Sequence, residues 1–218
     1  MSNEKSFARK IVGVFTHPRS TFEAITEKDL TRGFAVVLLV AIVGALASTQ
    51  YISKMDLSSL PRIGLLPGAD ASSLRGSLGI AFGVITGIRT VTGWLIPALI
   101  IYVVAKLSTG EGGFKRLLAQ TGLASTPILI QHVLRLIDAY AIQDNLRSDL
   151  LQTGTLTAGL SQRIINQALN SLNLFSLVTI ILTIVAASVT FRSSKKKMAM
   201  ITVVSYILFI ALRSMIFI

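Results

Sequence analysis

Residues 93–130 read GWLIPALIIYVVAKLSTGEGGFKRLLAQTGLASTPILI. Two apolar runs flank a short polar turn. Each run is close to the roughly 20 residues a helix needs to cross a bilayer. The turn is rich in glycine and carries Lys106, Lys115 and Arg116 against one acid, Glu111. The stretch predicts a helical hairpin in a membrane, and the rest of the chain is placed around it.

Composition points the same way. The 218 residues are 52% hydrophobic and only 14% charged, with a mean hydropathy of +0.69. A soluble domain carries about 25% charged residues. Cysteine is absent and the histidines are His17 and His132, so disulfides and Cys/His metal sites are excluded. No cofactor is expected. The net charge of +11 would suggest nucleic acid in a soluble protein. Here the bases sit in short loops beside apolar runs, as membrane topology demands, so nucleic acid is not an expected partner.

Residues 1–32 form a polar arm. Phe7, Ile11, Val14 and Phe15 fall at helical spacing with Arg9 and Lys10 opposite. His17-Pro18 ends that run, and Pro18 suits the first turn of a second short helix. The expectation is amphipathic helices lying in the interface, apolar side toward lipid; the alternative is a soluble arm that folds back on the loops. The membrane domain, 33–218, reads as five spans: about 33–51 with Thr31 as N-cap, 88–107 with a glycine-rich extension from 78, 117–137, 172–191 and 198–218. Residues 52–77 read as a loop with Pro61 and Pro67. Residues 139–171 read as a second loop, whose Leu160, Ile164, Ala168 and Leu169 make an amphipathic stretch. The fold class is thus all-α, an integral membrane protein with transmembrane helices and interfacial amphipathic helices.

Charge sets the orientation. The arm and the two short turns near 106–116 and 192–197 hold thirteen bases, and the opposite loops hold five. The positive-inside rule places the N-terminus and both turns in the cytoplasm and the C-terminus outside.

Gly79, Gly83 and Gly87 repeat every four residues, a small-xxx-small (GxxxG-type) face for close helix packing. Pro97 and Pro127 are candidate kinks, since each lacks an amide donor. Thr179, Thr183 and Thr190 can bond back to their own helix. Arg89, Gln131, His132, Arg135, Asp138 and Arg213 fall toward the outer ends of the second, third and fifth spans. They form a candidate pocket for an anion such as a lipid headgroup. Snorkelling to headgroups or pairing of Arg135 with Asp138 explains the same residues. Lys115, Arg116, Lys195, Lys196 and Lys197 form a basic cytoplasmic set that sets topology and attracts anionic lipid, so lipid binding is expected there too. No P-loop, His-Glu-x-x-His or Gly-x-Ser-x-Gly pattern is present, and an enzyme is not expected.

Two stretches resemble a known family. VFTHPRSTFEAI (Val14–Ile25) and GEGGFKRLLAQTGLASTP (Gly110–Pro127), with its Gly122-to-Pro127 element, are similar to the Yip family, the Ypt/Rab-interacting membrane proteins, in its prokaryotic form. The resemblance implies five spans with a cytoplasmic N-terminus. It implies a non-catalytic role in organising membranes, in trafficking or in binding a membrane or cytoplasmic protein, including a second copy of the chain. In eukaryotic members a long N-terminal region with acidic-aromatic motifs contributes to contacts with prenylated GTPases; this arm has no such motif. The alternative reading is a small transporter, channel or lipid-handling protein built on the outer polar pocket.

Overall fold

The computed structural model describes residues 7–54, 71–141 and 173–216. The amphipathic stretch expected over 160–172 lies outside these residues, as does most of the first loop. The described residues are helical, without strands. In order they form α1 (Phe7–Thr16), α2 (Pro18–Glu23), a 3-10 turn (Glu27–Asp29), α3 (Leu30–Ser53) and α4 (Ala71–Thr109). Then follow α5 (Phe114–Ala124), α6 (Thr126–Ala141), α7 (Leu174–Thr190) and α8 (Lys195–Ile216). Two segments, Glu27–Ser53 and Leu74–Thr109, are long and apolar enough to cross a membrane; Leu174–Thr190 is a shorter apolar helix.

α4 is the frame. Its first half runs antiparallel to α3, with Ser48 and Thr86 hydroxyls 2.9 Å apart and the Phe34 and Trp94 rings 6.2 Å apart. Its second half runs antiparallel to α8, where Ile101 and Ala105 share a buried cluster with Met198 and Ile201. At 39 residues it is about 58 Å long, well beyond a hydrocarbon core of about 30 Å. The helix therefore starts at Ala71, earlier than the loop expected to reach residue 77, and the glycine-rich extension is part of it.

α5 and α6 run parallel to α3 and pack along it. The single span expected over 117–137 is two helices, broken at Ser125. The cause is local. Pro127 cannot donate to the Leu123 carbonyl, and the Thr126 hydroxyl bonds that carbonyl instead at 2.7 Å. The Ser125 hydroxyl takes the Thr121 carbonyl at 3.0 Å. Pro97, by contrast, is buried inside α4 without ending it.

Other boundaries move for equally local reasons. Asp29, not Thr31, heads α3: its carboxylate accepts the Thr26 amide at 3.1 Å and the 3-10 turn runs straight into the helix. Ser194 heads α8, accepting the Met198 amide on its carbonyl and the Lys197 amide on its hydroxyl. Lys195, Lys196 and Lys197 thus form the first turn of α8 rather than a loop.

The arm does not turn its apolar side to lipid. Val14, Phe22 and Ile25 are fully buried in one cluster with Val36 and Val40 of α3, Ala119 and Leu123 of α5, and Leu182 and Ala186 of α7. The pattern is amphipathic as expected, but the apolar medium it meets is protein. Burying Phe22 alone is worth about 2–3 kcal/mol.

Candidate functional site

The arm and both short turns meet at one end of the bundle. Gln120, with no exposed surface, joins three elements there. Its side-chain amide donates to the Phe22 carbonyl at 2.7 Å, and its oxygen accepts the Thr190 hydroxyl. Thr190 therefore bonds across to α5 rather than back to its own helix. Arg116 donates to the Ile25 and Glu23 carbonyls at 3.1 and 3.3 Å. Trp94 donates from its indole nitrogen to Thr121 at 3.0 Å.

A buried ion pair closes the arm onto α3. Lys10 Nζ and Arg32 Nη1 both lie 2.6 Å from Asp29 Oδ1. Burial by itself would push the Asp29 carboxyl up; the Lys10 ammonium, the Thr26 amide and the Arg32 guanidinium outweigh it and hold the group below its ordinary range. Lys10 had been placed on the polar side of its helix, yet it is almost fully buried.

The turns are tied to each other. Lys197 Nζ donates to the Ser108 carbonyl at 3.1 Å, and Arg192 approaches Glu111 at 3.8 Å. Gly110 and Gly112 take left-handed backbone with φ of 71° and 85°, and a Cβ at Gly112 would strike the Phe191 ring. The α7 end also needs a left-handed residue. There the Ser193 amide closes onto the Ser188 carbonyl at 3.1 Å, and the residue between, at φ 45°, is Arg192. Glycine is the usual choice at that position.

The six residues of the expected outer pocket fall into two groups. Arg89 and Arg213 lie within electrostatic reach of each other across the α4–α8 contact. Gly93 faces Phe209 about one turn nearer the basic end of that contact. Arg89 sits between the Thr86–Ser48 and Trp94–Phe34 contacts, alongside the middle of α3. Gln131, His132, Arg135 and Asp138 lie on α6, which packs chiefly on α3 and α7. Asp138 accepts the Tyr51 hydroxyl instead of pairing with Arg135, and Lys54 donates to the Tyr140 carbonyl at 3.1 Å, clamping α6 to the end of α3. His132 packs over Gly44, where a Cβ would come within 3.1 Å of its ring.

The glycine face also divides. Gly79 and Gly83 pack within the chain, where added Cβ atoms would meet Thr49 at 3.3 and 2.7 Å, whereas a Cβ on Gly87 would meet none of the described residues within 4 Å. A tighter contact lies elsewhere. A Cβ on Gly33 would come 2.5 Å from the Ala119 carbonyl oxygen, and one on Gly122 would come 2.5 Å from that of Gly33. α3 and α5 therefore meet backbone to backbone.

These contacts join the two stretches singled out above, since Gln120 and Arg116 of the second bond to Phe22, Glu23 and Ile25 of the first. The Yip1 domain model matches residues 12–217, nearly the whole chain. The chain belongs to the Yip1 domain family. No curated protein and no solved structure matches it. Membership, with the two long apolar helices, makes it a membrane protein of the Yip type. In this Yip1-domain chain the residues that organise the basic end are Gln120, Asp29 and Lys10. Of these, Gln120 carried the one visible signal, an amide inside an apolar run.

Proposed function

We propose that this Yip1-domain protein is a five-span membrane protein without a catalytic centre. It acts as a scaffold, presenting a rigid basic end in the cytoplasm to a partner protein or membrane. One observation carries the reading: the arm is built into the bundle core through Phe22, Ile25 and Gln120. Its outer side, with Arg9, Val12 and Phe15 exposed, is thereby held in fixed register with both turns. A flexible tether would supply attachment; a fixed surface suits recognition, because little ordering entropy remains to be lost on binding.

The chain has no native cysteine, so single cysteines report its topology directly. An impermeant maleimide applied to intact cells should label Ser58→Cys and Thr155→Cys, and should reach Ser20→Cys only after permeabilisation. Labelling of Ser20→Cys in intact cells would overturn the arrangement.

A second reading is an anion- or lipid-handling protein centred on Arg89 and Arg213. What favours it is the placement of two arginines on facing apolar helices, Arg89 on α4 and Arg213 on α8. Native mass spectrometry separates the two readings. A small anion or lipid whose retention falls on Arg213→Gln favours handling; unchanged retention leaves the scaffold.

A further inference from the structure

We propose that the groove between α2, α5, α7 and α8 holds the phosphate of an anionic phospholipid headgroup. The inference rests on the reading that these helices are membrane-embedded with their basic end at a leaflet surface. The groove encloses about 650 Å³ and is lined by Arg19, Arg116, Arg192, Lys195 and Ser188, with Glu23 its one acid. Glu23 is engaged by Arg19 at 3.0 Å. Glu111 lies 3.8 Å from Arg192, with both side chains largely exposed. Arg116, Arg192 and Lys195 therefore bring more positive charge into the groove than its acids offset.

Three features make this more than a solvated basic surface. The Arg116 side chain is fixed by two backbone carbonyls, so a guanidinium is already oriented beside the groove; such groups suit phosphate oxygens. Arg192 stands where the backbone favours glycine, although the neighbouring turn uses glycine at both of its left-handed positions. Lys195 begins α8, where the helix dipole disfavours a cation. The left-handed backbone disfavours any side chain at Arg192 and the helix dipole disfavours a cation at Lys195, and a bound anion reverses the electrostatic part of that cost.

The phosphate is assigned to a lipid because exposed apolar surface lies on α8, the helix that Lys195 begins. Met200, Val203, Val204 and Ile207 of α8 are exposed, starting one turn after the lysines. Acyl chains lying along that face would be continuous with a headgroup in the groove.

The test uses the full chain in detergent, titrated with phosphatidylglycerol, with phosphatidylcholine or with inorganic phosphate, and read by native mass spectrometry. Wild type should retain phosphatidylglycerol in preference to phosphatidylcholine. The double variant Arg192→Gly/Lys195→Gln should lose about thirtyfold in retention, the scale for two bases near an anionic surface. Its melting temperature should equal or exceed wild type, because glycine relieves the left-handed position; this separates lost binding from lost folding. Lys28→Gln, an exposed base outside the groove, should change nothing. Equal retention by the double variant, an equal loss with Lys28→Gln, or displacement of the lipid by inorganic phosphate would each overturn the assignment. A wrong topology would appear in the maleimide labelling instead.

Discussion

Gly122→Ala is expected to leave little folded protein, although it adds only a methyl group. The new Cβ would fall 2.5 Å from the Gly33 carbonyl oxygen and 2.6 Å from its carbon. Both atoms are backbone, so no side chain can rotate away. α3 and α5 would have to part, loosening Val36 and Val40 from Ala119 and Leu123. Overpacking costs about 1–3 kcal/mol where a core can adjust, and here it cannot, so a loss of at least about 3 kcal/mol is expected. Helices in lipid are held by close packing rather than by a hydrophobic force, so little would pull them back together. Gly83→Ala should cost less, because its nearest contact is a side-chain atom, the Thr49 hydroxyl at 2.7 Å, and the nearest backbone atom, the Ala45 carbonyl oxygen, lies at 3.2 Å. Gly87→Ala should be silent, having no neighbour within 4 Å among the described residues. Fluorescence-detected size exclusion with a thermal ramp measures the series. Wild-type melting for Gly122→Ala would refute the backbone contact.

The same glycines show what can be read from the chain and what cannot. Gly79, Gly83 and Gly87 share one helix, so their spacing is visible, yet spacing alone does not say which of them meets a neighbour. Gly33 and Gly122 belong to helices far apart in sequence and carry no period; Gly33 reads as the start of a span and Gly122 as part of the Gly122-to-Pro127 element. The prolines behave likewise. A missing amide is legible at both Pro97 and Pro127, but the helix breaks only where Ser125 and Thr126 offer their own hydroxyls to the freed carbonyls. The amphipathic pattern of the arm was legible too, because helical periodicity identifies an apolar side. Periodicity cannot identify the medium, and protein took the place expected for lipid. The outer pocket is legible only as a set of depths. Counting residues along spans gives depth but not which helices adjoin, and α6 adjoins α3 and α7. The basic end was foreseen as a set of topology signals. That its residues come together depended on Gln120 bonding two distant carbonyl and hydroxyl partners, which no local pattern encodes.

Asp29→Asn should release the arm. Lys10 and Asp29 side chains are only 8% and 5% exposed, so losing the carboxylate charge strands a buried ammonium. Removing one partner of a buried pair costs about 3–5 kcal/mol, most of it desolvation no longer repaid. Arg32 is partly exposed and can turn to water, so Lys10 bears the loss. The expected result is a lower melting temperature, with trypsin cutting at Arg9 and Arg19 while the bundle stays intact. Adding Lys10→Met to Asp29→Asn should recover much of the stability, since an apolar side chain of similar length leaves no charge behind. Failure of that rescue would mean the pair does not hold the arm. The acid dependence follows from the direction of the shift. Asp29 sits below its ordinary value of 3.8 when folded, so its contribution is complete above that value and disappears as pH falls through the lowered one. Wild type and Asp29→Asn should therefore differ by a constant amount above about pH 5 and converge in stronger acid. A gap that narrowed between neutral pH and about pH 6 would trace the latch to a histidine rather than to this carboxylate.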